Sequence, residues 1–135
     1  MNVADVIEHR DRATILIVED HDAVRKLLRA WLGDAFPQDT LMDVATGEEA
    51  LASAASDPPD LVLMDIQLPE MNGIEATRRI KAIAPQTRVV ILTSLNDIAT
   101  RHAASEAGAI AFVAKLTMHR DLVPTLGALL HAPEE

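Results

Sequence analysis

Cysteine is absent from this 135-residue chain. Its absence excludes disulfide bonds and thiolate metal sites and fits a reducing compartment. Long apolar runs are absent as well, since none approaches the roughly 20 residues that a membrane-spanning helix needs. The first residues, MNVADVIEHRDRA, mix acids with bases and lack the apolar core of a secretion signal. These absences predict a cytoplasmic protein that neither spans a membrane nor carries a signal peptide.

Basic residues are in the minority: 12 Lys and Arg stand against 21 Asp and Glu, for a formal net charge of −9. A chain of this charge repels nucleic acids and anionic membranes, so we expect neither as a partner and expect cations to bind instead. With 49% hydrophobic residues the chain can form one sizeable core. We predict one domain over residues 14–131, an N-terminal extension over 1–13, and a tail or truncated linker over 132–135.

Three short apolar runs without alternating polar residues predict strands that are buried on both faces: Ile15–Val18, Leu61–Met64 and Val89–Leu92. Amphipathic stretches with helical spacing lie between them. A weaker strand over Leu41–Val44 is predicted because a regular βα repeat requires it, and Ile110–Lys115 is predicted as the last strand. This order predicts an α/β fold, a (βα)5 doubly wound sheet of five parallel strands with helices on both faces.

Local signals predict where two of the helices begin or end. Thr46 and Glu49 form a capping box, in which the Thr46 hydroxyl accepts from the Glu49 amide and the Glu49 carboxylate reaches back to the Thr46 amide. A helix over Gly47 to about Ala55 follows this box. Gly108 is expected to end a later helix, because glycine readily adopts the left-handed conformation found at helix C-termini.

Pro124 constrains the last helix. Proline lacks an amide hydrogen and is tolerated in the first turn of a helix but not in its interior. A helix that began near Thr117 would hold Pro124 in its interior. We therefore predict an N-cap at Asp121 and a helix that begins at Leu122.

Polar residues that suit a single chemistry follow four of the predicted strands. In an open parallel sheet the binding site lies beyond the carboxyl ends of the strands. There the sequence has three acids, a hydroxyl and a lysine, namely Glu19, Asp20, Asp65, Thr93 and Lys115. One acid at a strand end is expected by chance, because loops begin with polar residues. Chance does not account for all four strand ends together.

Clustered carboxylates raise one another's pKa unless a cation lies among them. Mg²⁺ or Mn²⁺ suits this set, because such ions prefer oxygen ligands and commonly bind one or two carboxylates, several waters and a phosphate oxygen. The five histidines are scattered singly along the chain. They therefore argue against a zinc or iron site, and helix starts or surface positions suit them better.

The strand ends carry four motifs: the pair Glu19-Asp20, the run MDIQLPEMNG around Asp65, Thr93 after an apolar strand, and GAIAFVAK ending at Lys115. Together they resemble the receiver domains of bacterial two-component response regulators. The resemblance covers residues 14–131 approximately, and it implies the flavodoxin-like strand order 2-1-3-4-5.

The resemblance implies a role for each site residue. Asp65 is implied as the phosphoacceptor, whose carboxylate attacks a phosphohistidine or a small-molecule donor. Asp20 and Asp65 would bind Mg²⁺ directly, together with the main-chain carbonyl of Gln67. Glu19 would act on the ion through a water, and Lys115 would contact a phosphoryl oxygen as a point charge.

Thr93 and Phe112 are implied as the switch. The Thr93 hydroxyl would donate to the phosphoryl group and draw the following loop inward, and Phe112 would fill the space so opened. Phe112 is also consistent with an ordinary core side chain of the last strand, and both interpretations stay open. Gln67, two residues past the acceptor, is placed to tune the lifetime of the phosphorylated state.

The loop after Asp65 also has an implied role. Pro69 stiffens it, and Asn72-Gly73 permits the turn into the third helix, so that the backbone near Asp65 is held in a preset shape. The same residues are also typical of ordinary loops.

Leu116 directly follows Lys115, where many receivers have a proline. Receivers attached to NarL/FixJ-type transcription factors often lack that proline, which predicts a weak likeness to this type. The resemblance implies a sensor histidine kinase or phosphotransfer protein as the phosphodonor. It implies an output domain or effector protein as the component that receives the signal, and it is compatible with a phosphorylation-dependent homodimer. The surface that signals is either the face of the fourth helix, last strand and last helix, or the face of the first and last helices.

Two other functions stay open. A phosphatase or phosphotransferase with an aspartate nucleophile would fit Asp65, but such enzymes often carry a second acid where this chain has Gln67. A receiver that has lost phosphorylation would be a constitutive interaction module, against which the complete set of polar residues argues. The prediction is a signalling domain and not an enzyme, with catalysis confined to its own phosphorylation and slow autodephosphorylation.

Overall fold

A computed structural model describes residues 12–130. Strands and helices alternate through them as β1 Thr14–Val18, α1 Asp22–Ala35, β2 Thr40–Val44, α2 Gly47–Ser56, β3 Leu61–Met64, α3 Gly73–Ile83, β4 Arg88–Thr93, α4 Ile98–Ala107, β5 Ala111–Ala114 and α5 Met118–Leu130. A 3-10 turn, Lys115–Thr117, joins β5 to α5. The predicted tail, 132–135, lies outside the described residues, as does the predicted N-terminal extension apart from residues 12 and 13.

The five strands form one parallel sheet in the order β2-β1-β3-β4-β5. Both the fold class and the strand order predicted from the sequence are therefore confirmed, including the weak second strand. The strand order reverses between β1 and β3, the position at which open α/β sheets bind ligands. None of the helices within residues 12–130 is both long and apolar enough to cross a bilayer.

Side chains alternate between the two faces of the sheet, and each face packs against its own helices. One face, with Leu16, Val18, Val62, Met64, Val89 and Ile91, packs against α2, α3 and α4 through Ala50, Ala54, Ala76, Ile80 and Ala104. The other face, with Ile15, Ile17, Leu61, Leu63, Val90 and Leu92, packs against α1 and α5 through Leu28, Leu32, Leu122 and Leu126. Burial on both faces explains why the strands read as unbroken apolar runs.

The predicted helix ends at Thr46 and Gly108 are confirmed. The Thr46 hydroxyl accepts from the Glu49 amide at 3.1 Å, and α2 begins at the next residue. The Glu49 carboxylate accepts from the Ala45 amide at 3.2 Å and from the Thr46 hydroxyl, rather than from the Thr46 amide as predicted. Gly108 ends α4 with a φ of 112°, a left-handed conformation that glycine adopts without steric cost.

The predicted start of the last helix at Leu122 is wrong. Helix α5 begins at Met118, so Pro124 lies inside it and removes one main-chain hydrogen bond. Tertiary packing outweighs this loss, because Leu122 and Leu126 are completely buried against the sheet. The Asp121 carboxylate, expected to cap the helix, pairs instead with Arg120 at 2.9 Å. Strand β5 is correspondingly shorter than predicted, because Lys115 already belongs to the 3-10 turn.

Candidate functional site

Three carboxylates meet where β1 and β3 end. Val18 pairs with Met64 across these strands, so the acids that follow are brought side by side. The ladder continues past the strand end, since the Asp65 amide donates to the Val18 carbonyl at 3.1 Å. One carboxylate oxygen each from Glu19, Asp20 and Asp65 lies within 4.8 Å of the others. Glu19 and Asp65 are only 2% and 4% exposed, whereas Asp20 is exposed.

The side chain of Lys115 reaches these acids from beyond β5. Its ammonium nitrogen lies 2.7 Å from Glu19 Oε1 and 3.1 Å from Asp65 Oδ2. Lys115 therefore lies between two buried carboxylates that would otherwise repel each other. The structure thus brings together four of the predicted site residues, and the charge of the ammonium offsets part of the acids' negative charge.

Burial and the neighbouring charges shift the pKa values of this site. Burial, and then the negative charge of Glu19, raises the pKa of Asp65, while the charge and hydrogen bond of Lys115 offset part of the increase. Burial by itself would lower the pKa of Lys115, but the hydrogen bond to Glu19 and the charge of Asp65 raise it overall. The contribution of Glu19 has the direction expected of clustered carboxylates, although burial contributes more. A cation is accordingly favourable beside Asp65, because it would stabilise the ionised carboxylate.

The oxygen-only donor set suits a hard divalent cation. Within residues 12–130, Glu19, Asp20 and Asp65 form the group of acidic or histidine side chains close enough to hold an ion. Carboxylate oxygens without sulfur or imidazole fit Mg²⁺ or Mn²⁺ better than zinc. His21 lies next to this group but caps α1, where its Nδ1 accepts from the Val24 amide at 3.4 Å, as expected of a histidine at a helix start.

Gln67 lies at the edge of the site. Its main-chain amide donates to Asp65 Oδ1 at 3.2 Å, so the loop after β3 helps to orient the acceptor carboxylate. Its exposed side chain accepts from the Ser94 hydroxyl at 2.9 Å. This hydrogen bond joins the loops that follow β3 and β4.

Thr93 and Phe112 occupy adjacent strands. Thr93 is fully buried at the end of β4, and its hydroxyl accepts from the Leu95 amide at 3.2 Å. Phe112 is half-buried opposite Ile91 and packs partly against the core. The Arg101 guanidinium lies over the Phe112 ring, 4.7 Å from its centroid, within the range of a cation–π interaction.

Gly73 lies directly against the main chain of the acceptor residue. A Cβ atom at this position would lie 2.0 Å from the Asp65 carbonyl oxygen and 2.8 Å from Ile66 Cα. Gly73 has no positive φ, so close approach rather than an unusual conformation requires the glycine. The sequence pattern predicted only a turn at Asn72-Gly73 and did not predict this contact. Glycine is less favourable in a helix than most other residues. Its presence as the first residue of α3 was therefore the signal that could have indicated this contact.

Asn72 caps the same helix, with its side-chain oxygen accepting from the amides of Ile74 and Glu75 at 2.9 and 3.0 Å. Within the loop, Glu70 has a φ of 64°, a left-handed conformation that costs a non-glycine residue about 1–2 kcal/mol. A capped helix start and a constrained loop agree with the predicted preset backbone after Asp65.

Comparison with known proteins identifies the family. A family model described as the response regulator receiver domain matches residues 15–126. The uncharacterized transcriptional regulatory protein YhcZ of Bacillus subtilis is 40% identical over 111 residues, and the response regulator protein VraR of Staphylococcus aureus is 35% identical over 108. These matches cover 82% and 80% of this chain, which spans about half, 52%, of the length of each relative.

Solved structures agree with this assignment. A LuxR-family two-component response regulator from Aurantimonas sp. SI85-9A1 superposes with a TM-score of 0.82 at 34% identity, covering 88% of this chain and 85% of that one. The BeF3-activated N-terminal receiver domain of Klebsiella pneumoniae RstA superposes with a TM-score of 0.79 at 31% identity, covering 87% and 98%. VraR and the LuxR-family regulator among the relatives confirm the weak likeness to the NarL/FixJ type. The chain therefore belongs to the receiver domains of two-component response regulators, a family of signalling domains.

Proposed function

We propose that Asp65 accepts a phosphoryl group and that the phosphorylated chain changes conformation to signal to a partner or an output domain. The observation that carries this proposal is the buried Asp65 carboxylate at a strand end, with the Lys115 ammonium 3.1 Å away and two further acids within 4.8 Å. A nucleophile, a fixed positive charge and a set of oxygen ligands are the groups that phosphoryl transfer to a carboxylate needs.

In the proposed reaction an Asp65 carboxylate oxygen attacks phosphorus. The new oxygen–phosphorus bond forms as the bond from phosphorus to the imidazole nitrogen of a phosphohistidine, or to the acyl oxygen of a small donor, breaks. The leaving group departs with that bond's electron pair. Lys115 stabilises the negative charge that spreads over the phosphoryl oxygens. The main-chain amide of Gln67 donates to the other oxygen of the Asp65 carboxylate. This hydrogen bond orients the attacking oxygen.

The proposed ion is Mg²⁺ or Mn²⁺, held directly by Asp20, Asp65 and the main-chain carbonyl of Gln67. When bound, it supplies positive charge to the phosphoryl oxygens. Glu19 would act on the ion through a water, and its buried carboxylate also accepts from the Lys115 ammonium at 2.7 Å. Burial raises the pKa of Asp65. The positive charges of the proposed ion and of Lys115 would therefore both help to keep this carboxylate ionised.

The proposed switch couples the phosphoryl group to Thr93 and Phe112. The Thr93 hydroxyl accepts from the Leu95 amide and keeps its own hydrogen to donate, so its movement toward the phosphoryl group would draw the loop before α4 with it. Phe112 then turns inward and leaves Arg101. The test is Thr93→Ala in the phosphorylated form. We expect weaker partner binding than for phosphorylated wild type, and unchanged binding would remove Thr93 from the switch.

Gln67 is proposed to set the lifetime of the aspartyl phosphate. Its hydrogen bond to Ser94 crosses between the loops after β3 and β4, close to the acceptor. Removing the side chain would alter the approach of water to the phosphoryl group. Autodephosphorylation of Gln67→Ala should differ in rate from wild type, and equal rates would refute this role.

The proposed partners are a sensor histidine kinase or phosphotransfer protein and an output domain or effector, with scope for a phosphorylation-dependent homodimer. We place the chain in the cytoplasm, where such kinases present their phosphohistidine. Its own catalysis would be limited to its phosphorylation and slow autodephosphorylation, which makes it a signalling domain rather than an enzyme. The net charge of −9 supports a partner other than nucleic acid or an anionic membrane.

The deciding experiment is intact mass after incubation with Mg²⁺ and acetyl phosphate, beside Asp65→Asn and a chelator control. We expect one added phosphoryl group in wild type and none in either control. No addition from acetyl phosphate or from phosphoramidate would overturn the proposal and favour an interaction module independent of phosphorylation. Addition to Asp65→Asn would place the acceptor elsewhere.

A further inference from the structure

Arg25, in the first turns of α1, binds the loop that carries two of the acids. Its Nη1 donates to the main-chain carbonyl of Glu19 at 2.8 Å, and its Nη2 donates to Asp22 Oδ1 at 2.7 Å. Its Nε lies 3.5 Å from Asp43 Oδ2 on β2. The side chain is only 18% exposed. One planar guanidinium therefore joins the loop after β1 to both α1 and β2.

The carbonyl that Arg25 holds belongs to the peptide group between Glu19 and Asp20. Fixing the orientation of this peptide restricts ψ of Glu19 and φ of Asp20, which set the directions of the two side chains. The preceding peptide is fixed as well, because the Glu19 amide donates to the Val44 carbonyl at 3.1 Å. Arg25 thus completes the support of the main chain from which both carboxylates project.

We infer that Arg25 is a positioning residue for the cation site. It holds the peptide between Glu19 and Asp20 so that their carboxylates converge with that of Asp65. The inference rests on the proposed function, since it assigns Arg25 to the cation that this function requires. Residues that hold metal ligands in place commonly contribute 10-fold or more to metal affinity without contacting the metal.

Geometry, rather than charge, is the basis of this effect. Asp22 and Asp43 both pair with Arg25, so its positive charge is already balanced beside the loop. The planar guanidinium donates to two oxygens and lies within ion-pair distance of a third, which the single ammonium of a lysine does not reproduce. A lysine at this position would keep the charge and lose the arrangement.

Arg29 provides a matched control. It lies one turn further along α1 and also pairs with Asp43, at 2.9 Å, but its side chain is 50% exposed. Arg29→Ala therefore removes an ion pair between α1 and β2 and leaves the bond to the Glu19 carbonyl in place. Comparing it with Arg25→Ala separates the support of the acidic loop from the general attachment of α1.

The experiment is Mg²⁺ titration by isothermal calorimetry on wild type, Arg25→Ala, Arg25→Lys and Arg29→Ala, with thermal unfolding of each. We expect the Mg²⁺ Kd to rise about 10-fold in both Arg25 variants and to stay within about twofold of wild type in Arg29→Ala. Equal affinities in Arg25→Ala and Arg29→Ala would overturn the inference. Wild-type affinity in Arg25→Lys would also overturn it, because charge alone would then suffice.

The two proposals fail in different ways. Absence of Mg²⁺ binding by wild type would overturn the proposed cation site, and with it the inference on Arg25. Wild-type binding with no difference among the variants would overturn the role of Arg25 alone. Should Arg25→Ala fail to fold, Arg25→Lys gives the same comparison, because it keeps the charge and the long aliphatic side chain.

Discussion

The contact of Gly73 with the acceptor residue leads to a prediction that joins stability to function. In Gly73→Ala the new Cβ would lie 2.0 Å from the Asp65 carbonyl oxygen, whereas such contacts below 3.0 Å are essentially never found. The start of α3 and the main chain of Asp65 must therefore separate by at least about 1 Å. No flexible side chain can take up this movement, because the nearest atoms all belong to the main chain.

The expected magnitude follows from two opposing effects. Overpacking of this kind costs about 1–3 kcal/mol, and a contact against the main chain belongs near the upper end. Alanine is favoured over glycine in a helix by up to about 1 kcal/mol, which offsets part of the loss. We expect a net loss of about 1–2 kcal/mol in the free energy of unfolding. Because a displacement of about 1 Å can cost about 100-fold in rate, phosphorylation of Asp65 should slow by a factor of that order.

Urea unfolding and the rate of phosphoryl uptake from acetyl phosphate, followed by intact mass, test both parts. Gly33→Ala is the matched control, because a Cβ at Gly33 would meet only Leu41 Cδ1 at an ordinary 3.6 Å. That variant should gain up to about 1 kcal/mol in stability and keep the wild-type rate. Wild-type stability in Gly73→Ala would refute the close packing, and lost stability with an unchanged rate would refute its connection to Asp65.

Three further predictions concern other parts of the fold. Thr46→Ala removes the cap of α2 and should lower the free energy of unfolding by about 1 kcal/mol in urea; no loss would show that water replaces the hydroxyl. Arg101→Ala removes the cation–π contact with Phe112 and should lower the free energy of unfolding by about 0.5–1 kcal/mol in the same assay. An equal loss in Arg101→Leu would support the cation–π contact as the cause, and wild-type stability of Arg101→Leu would contradict it. Hydrogen bonds from Thr100 hold the pKa of Asp97 below its ordinary value of 3.8, so its stabilising effect is present above that pH and is lost as the pH falls through the lower folded-state value. The difference in thermal stability between wild type and Asp97→Ala should therefore narrow in strong acid, and a difference independent of pH would contradict this assignment.

Most of the fold could be predicted from the sequence because its strands are buried on both faces. Such strands need apolar side chains at every position, so β1, β3 and β4 stand out as unbroken runs. The acids and the lysine could be predicted as neighbours for a related reason. Parallel strands bring their carboxyl ends to one edge of the sheet, so residues that directly follow them meet there without further information.

The last helix shows where local signals are insufficient. Pro124 argued for a start at Leu122, yet α5 begins at Met118 and includes the proline. Burial of Leu122 and Leu126 against the sheet outweighs the lost hydrogen bond. That burial depends on strands far away in the chain, so no rule that considers only neighbouring residues predicts it.

The sequence by itself determined the alternation of strands and helices, the parallel sheet and the set of residues at its carboxyl edge, because each depends on short-range patterns and on the geometry of parallel strands. Only the tertiary structure decided how these residues contact one another. Lys115 meets Glu19 across 96 positions of the chain, Gly73 lies against the Asp65 carbonyl, and Arg25 holds the peptide after Glu19. Such contacts depend on the relative placement of packed elements to within about 1 Å, which local sequence patterns do not specify.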